Sequence, residues 1–197
     1  VNATIADAQG VGTITDDDAT PSLSIDDVSA VEGTGAGATT LDFTVTLSAA
    51  SGQTVTVEYA TADGTAAQPA DYTQVLTTVL TFAPGETTKA VSVTVSRDAL
   101  DETNETVLVN LATPVNATIA DTQGVGTITD DDATPSLSID DVSVVEGTGA
   151  GATTLDFTVT LSAASGQTVT VEYATADGTA AQPADYTQVL TTVLTFA

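Results

Sequence analysis

The side chains in this chain that could do chemistry are carboxylates. They gather at Glu32, at Asp63, in the segment holding Asp98, Asp101, Glu102 and Glu105, and in the triplet Asp130-Asp131-Asp132. An isolated Asp triplet is a weak signal. Separate acidic segments at the ends of apolar-alternating runs are a stronger one, because alternate loops of a strand sandwich meet at one end. Carboxylates meeting there repel each other unless a cation joins them. Ca2+ suits such a set, since it takes about six to eight hard oxygen ligands. EF-hand spacing is not present, and the competing reading is a plain solvated acidic face. His and Cys are both absent, so zinc, copper and haem iron lack their usual ligands. The same absence removes the common general bases and nucleophile activators, so no enzyme is expected.

The composition agrees with that chemistry. Among 197 residues there are 27 acids and 2 bases, for a formal net charge of −25. Such a chain repels nucleic acid and anionic membranes and attracts cations. With 42% hydrophobic residues it can still build a core, unlike a disordered acidic tail. Its polar remainder is rich in Thr, which with Val favours strands. No apolar run is long enough to span a bilayer, so no direct membrane insertion is expected. There is neither an initiator Met nor a signal peptide. The pattern is entered and left in the middle of a unit, so the true termini are expected to lie elsewhere.

Internal repetition sets the architecture. Val1-Asn2-Ala3-Thr4-Ile5-Ala6-Asp7 returns as Val115-Asn116-Ala117-Thr118-Ile119-Ala120-Asp121, an offset of 114 residues. The match runs to Ala83 and Ala197 and breaks only at Ala8 against Thr122 and Ala30 against Val144. A 114-residue period is the size of a domain rather than of a solenoid coil. The boundary falls at Asp-Asp-Asp-Ala-Thr-Pro, from Asp16 to Pro21 and again from Asp130 to Pro135. Residues 20–133 then form one complete repeat, 1–19 the C-terminal strand of a preceding repeat, and 134–197 the N-terminal part of the next. Either the chain is a window on a longer array, which is the expectation, or neighbouring molecules complete each other's open sheets by strand addition.

Within the complete repeat, period-two alternation recurs in seven short runs, around Leu23, Leu41–Leu47, Val55–Tyr59, Leu80–Phe82, Val91–Val95, Val107–Leu111 and Val125–Ile128. Gly, Pro, Asp and Asn separate them, and no amphipathic helix of useful length is visible. The pattern predicts an all-β chain of tandem antiparallel two-sheet sandwiches, one complete and two partial.

The motifs carry a family resemblance. Thr61-Ala62-Asp63-Gly64-Thr65-Ala66, Asp71-Tyr72, Leu80-Thr81-Phe82-Ala83-Pro84-Gly85-Glu86-Thr87, Asp101-Glu102-Thr103-Asn104-Glu105 and the closing Gly126-Thr127-Ile128-Thr129-Asp130-Asp131-Asp132 resemble the Calx-β domain, in the family's order and across the whole repeat. The resemblance implies a seven-stranded immunoglobulin-like sandwich with calcium bound at one end, near the next domain. It places the ligands on Glu32, Asp63, Asp98, Glu102, Glu105, Asp130, Asp131 and Asp132, with Asp16, Asp17, Asp18, Glu146 and Asp177 as the matching positions of the partial repeats. Arg97 stands where calcium-rich members tend to carry another acid. Paired with Asp98 or Glu102 it would replace one cation, so one or two ions are expected.

The remaining signals are weak. Asp26 and Asp27, just past the linker, read as turn or edge-strand charges, with a bridge to the preceding Asp triplet as the competitor. Asn2-Ala3-Thr4, Asn104-Glu105-Thr106 and Asn116-Ala117-Thr118 match glycosylation acceptors by chance. Gly33-Thr34-Gly35-Ala36-Gly37 lacks the strand–loop–helix context of a phosphate cradle and reads as a hairpin loop. The expected role is structural: an extracellular, secreted bacterial stalk or fibre in which calcium stiffens the junctions, with neighbouring repeats as partners and other copies of the chain, in a fibre or bundle, as a further option. A calcium-sensing regulatory module and a weak carbohydrate- or protein-binding module are the alternatives. The latter would need an exposed aromatic patch, for which 4% aromatic residues leave little material.

Overall fold

A computed structural model describes residues 2–197; Val1, the first residue of the expected 1–19 fragment, lies outside them. The complete repeat contributes nine strands: β1 (Ser22–Ile25), β2 (Val28–Val31), β3 (Gly37–Leu47), β4 (Val55–Asp63), β5 (Thr78–Phe82), β6 (Thr88–Arg97), β7 (Glu105–Val115), β8 (Thr118–Ile119) and β9 (Gln123–Thr129). They form two sheets, ordered β6-β3-β1-β8 and β2-β9-β7-β4-β5. All seven alternating runs are strands, as their β-branched and aromatic residues favour.

Alternation becomes burial because successive side chains of a strand face opposite sides of the sheet. Leu41, Phe43, Val45 and Leu47 of β3 point inward beside Val91, Val93 and Val95 of β6. The antiparallel register sets Phe43 opposite Val91 and Leu41 opposite Val93. Val55 and Val57 of β4 and Val107 and Val109 of β7 supply the facing sheet, and Tyr72 and Phe82 fill the space between. Each such side chain, once buried, contributes about 1.5–3 kcal/mol. Gly126 lies over this core: a Cβ there would meet Leu41 and Phe43 at 2.8 Å.

Two features depart from the antiparallel seven-strand expectation. The first run is broken at Asp26-Asp27, so β1 joins one sheet and β2 the other. As a result β1 pairs with β8 and β2 with β9 in parallel. The break is held by its own carboxylates. Thr44 N donates to Asp26 Oδ1 at 2.6 Å in one sheet, and Val125 N donates to Asp27 Oδ1 at 2.7 Å in the other. These two acids therefore tie the crossing strand to both sheets, rather than bridging to the preceding triplet. The second feature is β8, a two-residue strand whose shortness left no alternation to read.

The next repeat begins as the first does. β10 (Leu137–Ile139) pairs with β11 (Val159–Leu161), and β12 (Val169–Tyr173) with β13 (Thr192–Phe196), repeating the β1–β3 and β4–β5 pairings. Residues 2–19, where the last strand of a preceding repeat is expected, are exposed and form no strand. In the complete repeat, the segment equivalent to Gln9–Thr15 is β9, held between β2 and β7. The 197 residues hold no earlier copies of β2 and β7 for that segment to pair with. Among the described residues, no helix is long and apolar enough to cross a membrane.

Candidate metal centre

Strand polarity collects the acids. β2 and β9 run parallel, so Glu32 and Asp130-Asp131-Asp132 leave the sheet at the same end. β7 runs antiparallel to β9 and starts at that end, with Glu105 opposite Ile128. β4 finishes there as well, Asp63 lying opposite Val107. Two groups of carboxylates result. Glu32, Asp98 and Asp132 each present an oxygen within 4.8 Å of the others, and so do Asp71, Glu102 and Glu105.

The first group is the more enclosed. Glu32 keeps only 7% of its surface exposed. Glu32 Oε1 and Asp132 Oδ2 are buried without any hydrogen-bond partner. Leaving a buried acceptor unsatisfied is costly, more so for a charged group. Burial, followed by the fields of Asp98 and Asp130, pushes the Glu32 carboxyl up to about 7. Burial and then its neighbours Asp130 and Asp131 also raise Asp132. In the second group, burial and the adjoining Asp71 raise Glu105 to about 7. Burial, then Asp98 and Asp71, raise Glu102. Burial and mutual repulsion disfavour the ionised form of these carboxylates, and a cation would relieve the same repulsion. An all-oxygen donor set with two orphaned buried oxygens fits a hard divalent cation.

The other expected ligands are placed differently. Asp63 Oδ1 accepts from the Tyr72 hydroxyl at 2.6 Å and from Gln68 N at 3.3 Å. Asp131 Oδ1 accepts from Gly33 N at 3.0 Å, fixing the Gly-rich loop to the triplet. Asp130 lies beside both groups, close enough to raise Glu32 and Glu102. Asp16, Asp17, Asp18 and Glu146 are exposed and join neither group. Asp177 is taken by Tyr186 at 2.7 Å. Asp71 was not among the expected ligands, because the Asp71-Tyr72 pair drew attention to the tyrosine. Its side chain also accepts from Ala67 N at 2.7 Å, and that turn carries it to the acidic end.

Arg97 does not pair with Asp98 or Glu102; the one salt bridge among the described residues joins Lys89 to Glu86. Instead Arg97 Nε donates to Thr39 Oγ1 at 2.9 Å. Its side chain lies along the Gly-rich loop, where a Cβ on Gly33 would meet Nε at 3.1 Å. Gly33 sits at φ 86°, a left-handed conformation that Gly adopts without strain. The loop thus holds the guanidinium away from the acids.

Fold and site together define a class: tandem immunoglobulin-like sandwiches with an acidic metal-type end on the complete repeat. The family model of the Calx-beta domain matches residues 16–134 and again 129–197. The chain belongs to the Calx-beta domain family. Among solved structures, it is similar to the calcium binding domain CBD12 of CALX1.1, with 23% identity and a TM-score of 0.51, over 88% of this chain and 69% of that one. CBD12 from CALX1.2 aligns at 24% identity and TM-score 0.49, over 86% and 67% of the two chains. The apo-form Calx CBD1 domain aligns at 21% identity and TM-score 0.48, over 58% of this chain and all of that one. No curated protein matches the chain significantly.

Proposed function

We propose that the complete repeat is a calcium-binding module. The observation that carries this reading is the pair of buried, unpartnered oxygens, Glu32 Oε1 and Asp132 Oδ2, inside a set of like charges. Glu32, Asp98 and Asp132 would hold one ion; Asp71, Glu102 and Glu105 would hold a second beside it, with Asp130 flanking both. The ion supplies positive charge and oxygen coordination. The chain supplies preorganised carboxylates on the ends of β2, β6, β7 and β9. Likeness to structures described as calcium binding domains supports the same reading. Titration calorimetry with CaCl2 tests it. Binding to the chain and clear weakening in Glu32→Gln and Asp132→Asn are expected; no binding, or unchanged affinity in both variants, overturns it.

Within that module, two uses are open. A regulatory calcium sensor fits the family. A structural spacer, an extracellular stalk of stiffened repeats, is favoured by one specific observation: two substitutions in the 83 aligned pairs ending at Ala83 and Ala197. Repeats that read different partners would differ at their loops. Small-angle scattering of a chain of several repeats, with calcium and with EGTA, separates the two. The spacer requires a longer, stiffer particle with calcium, and equal lengths rule it out.

A further inference from the structure

Glu102 has a second neighbour besides the acidic cluster. Asp101 and Ser165 of the next repeat form an isolated parallel bridge. Gly166 N donates to Asp101 O at 3.2 Å, and Ser165 Oγ donates to the same carbonyl at 3.1 Å. The Asp101 carboxylate accepts from Thr134 Oγ1 of the linker at 3.1 Å. One residue of the first repeat thus holds both the linker and a turn of the second. Glu102 occupies the space above Gly166: a Cβ there would meet Glu102 Oε1, with Cγ at 2.6 Å and Cδ at 2.8 Å.

The chain contains its own comparison. Ser51-Gly52 is the same turn one repeat earlier, in the identical stretch Ala49-Ala50-Ser51-Gly52-Gln53-Thr54. A Cβ on Gly52 would meet nothing within 4 Å. Neither glycine adopts a left-handed φ. Local backbone therefore demands glycine at neither position, and only the approach of Glu102 distinguishes them.

We infer that the Ser165–Gly166 turn is the docking face through which one repeat seats on the Asp101–Glu102 loop of the repeat before it. The partner such a turn fits is an Asp-Glu loop offering a free backbone carbonyl. Ser51–Gly52 presents the same face to that loop of a preceding copy. The docking contact stands on geometry and does not depend on the calcium reading.

The absence of Cys allows two unique spin labels. Labels at Gln74→Cys and Thr170→Cys, both exposed, report the distance between the repeats. In CaCl2 the labelled chain is expected to give one narrow distance distribution. Gly166→Ala should lose it, and Gly52→Ala should keep it. A Gly166→Ala distribution as narrow as the parent's, equal broadening in Gly52→Ala, or a parent without a narrow population overturns the docking. Calcium titration of the same proteins is read separately: absence of uptake defeats the calcium reading, while the distances still decide the docking. Thermal melting of the complete repeat should be unchanged by Gly166→Ala, which excludes unfolding as the cause.

Discussion

The Tyr72 hydroxyl donates to Asp63 Oδ1 at 2.6 Å, and Tyr186 makes the same bond to Asp177 at 2.7 Å one repeat later. Tyr72 is fully buried and Tyr186 is not, so the bond forms with or without a closed sandwich around it. It assigns this aspartate to holding the corner of the sandwich. Tyr72→Phe should therefore lower stability by about 1 kcal/mol, the net worth of one hydrogen bond to a carboxylate that stays exposed and keeps its bond from Gln68 N. Urea unfolding measures it, and calcium affinity should not change. Burial, then Asp63, raises the Tyr72 hydroxyl to about 12 from 10.0. A raised folded pKa favours the neutral form, so this stabilisation is complete below pH 10 and is lost as pH rises through about 12.

The metal-free protein should have an unusual pH dependence. Glu32 and Glu105 rise from 4.5 to about 7 on folding, which favours their protonated forms. Their contribution is complete below pH 4.5 and is lost as pH rises through about 7. In EGTA the melting temperature should fall across that window. With calcium the carboxylates are held ionised, and the fall should disappear. Binding near pH 7 should release protons, visible as heats that change with the buffer. A metal-free melting temperature that climbs from pH 4.5 to 7 contradicts the placement of these groups.

Gly126→Ala should cost about 1–3 kcal/mol, as overpacking of a close-packed core does. The added methyl would lie 2.8 Å from Leu41 and Phe43 and 3.0 Å from Val107. Gly12 is the same residue one repeat earlier; the 197 residues hold none of that repeat's facing strands, and nothing lies within 4 Å of a Cβ there. Gly12→Ala should stay within about 0.5 kcal/mol of the parent. Chemical denaturation of both variants checks the contrast.

Asp27→Ala should destabilise by about 1–3 kcal/mol, because Val125 N loses a charged acceptor at 2.7 Å just where β2 begins to pair with β9. Asp27→Asn keeps an acceptor oxygen and should recover most of the loss. Calcium affinity should be the same in all three proteins. Amide hydrogen exchange at Val125, faster in Asp27→Ala only, would locate the effect.

Much of the fold was legible in the sequence. The 114-residue offset and the seven alternating runs are local records of packing, since a strand with one buried face must repeat every second residue. The acidic end was legible for a related reason: hydrophilic residues interrupt the runs at loops, and alternate loops share an end. The crossing at Asp26-Asp27 and the two-residue β8 were not, because neither leaves a period to detect. Asp71 was hidden behind Tyr72 for want of any local sign that its turn folds back towards Glu102 and Glu105.

The sequence by itself determined the period, the strand content and the supply of carboxylates. Only the tertiary structure decided which carboxylates face one another. Asp63 went to a tyrosine, Asp71 joined Glu102 and Glu105, and Arg97 was drawn aside by Thr39 and two glycines. Gly52 and Gly166 show the reason most directly. Their local sequences are identical, yet only Gly166 is closed over, because the Glu102 that covers it comes from the repeat before it, and the residues before Gly52 include no such loop.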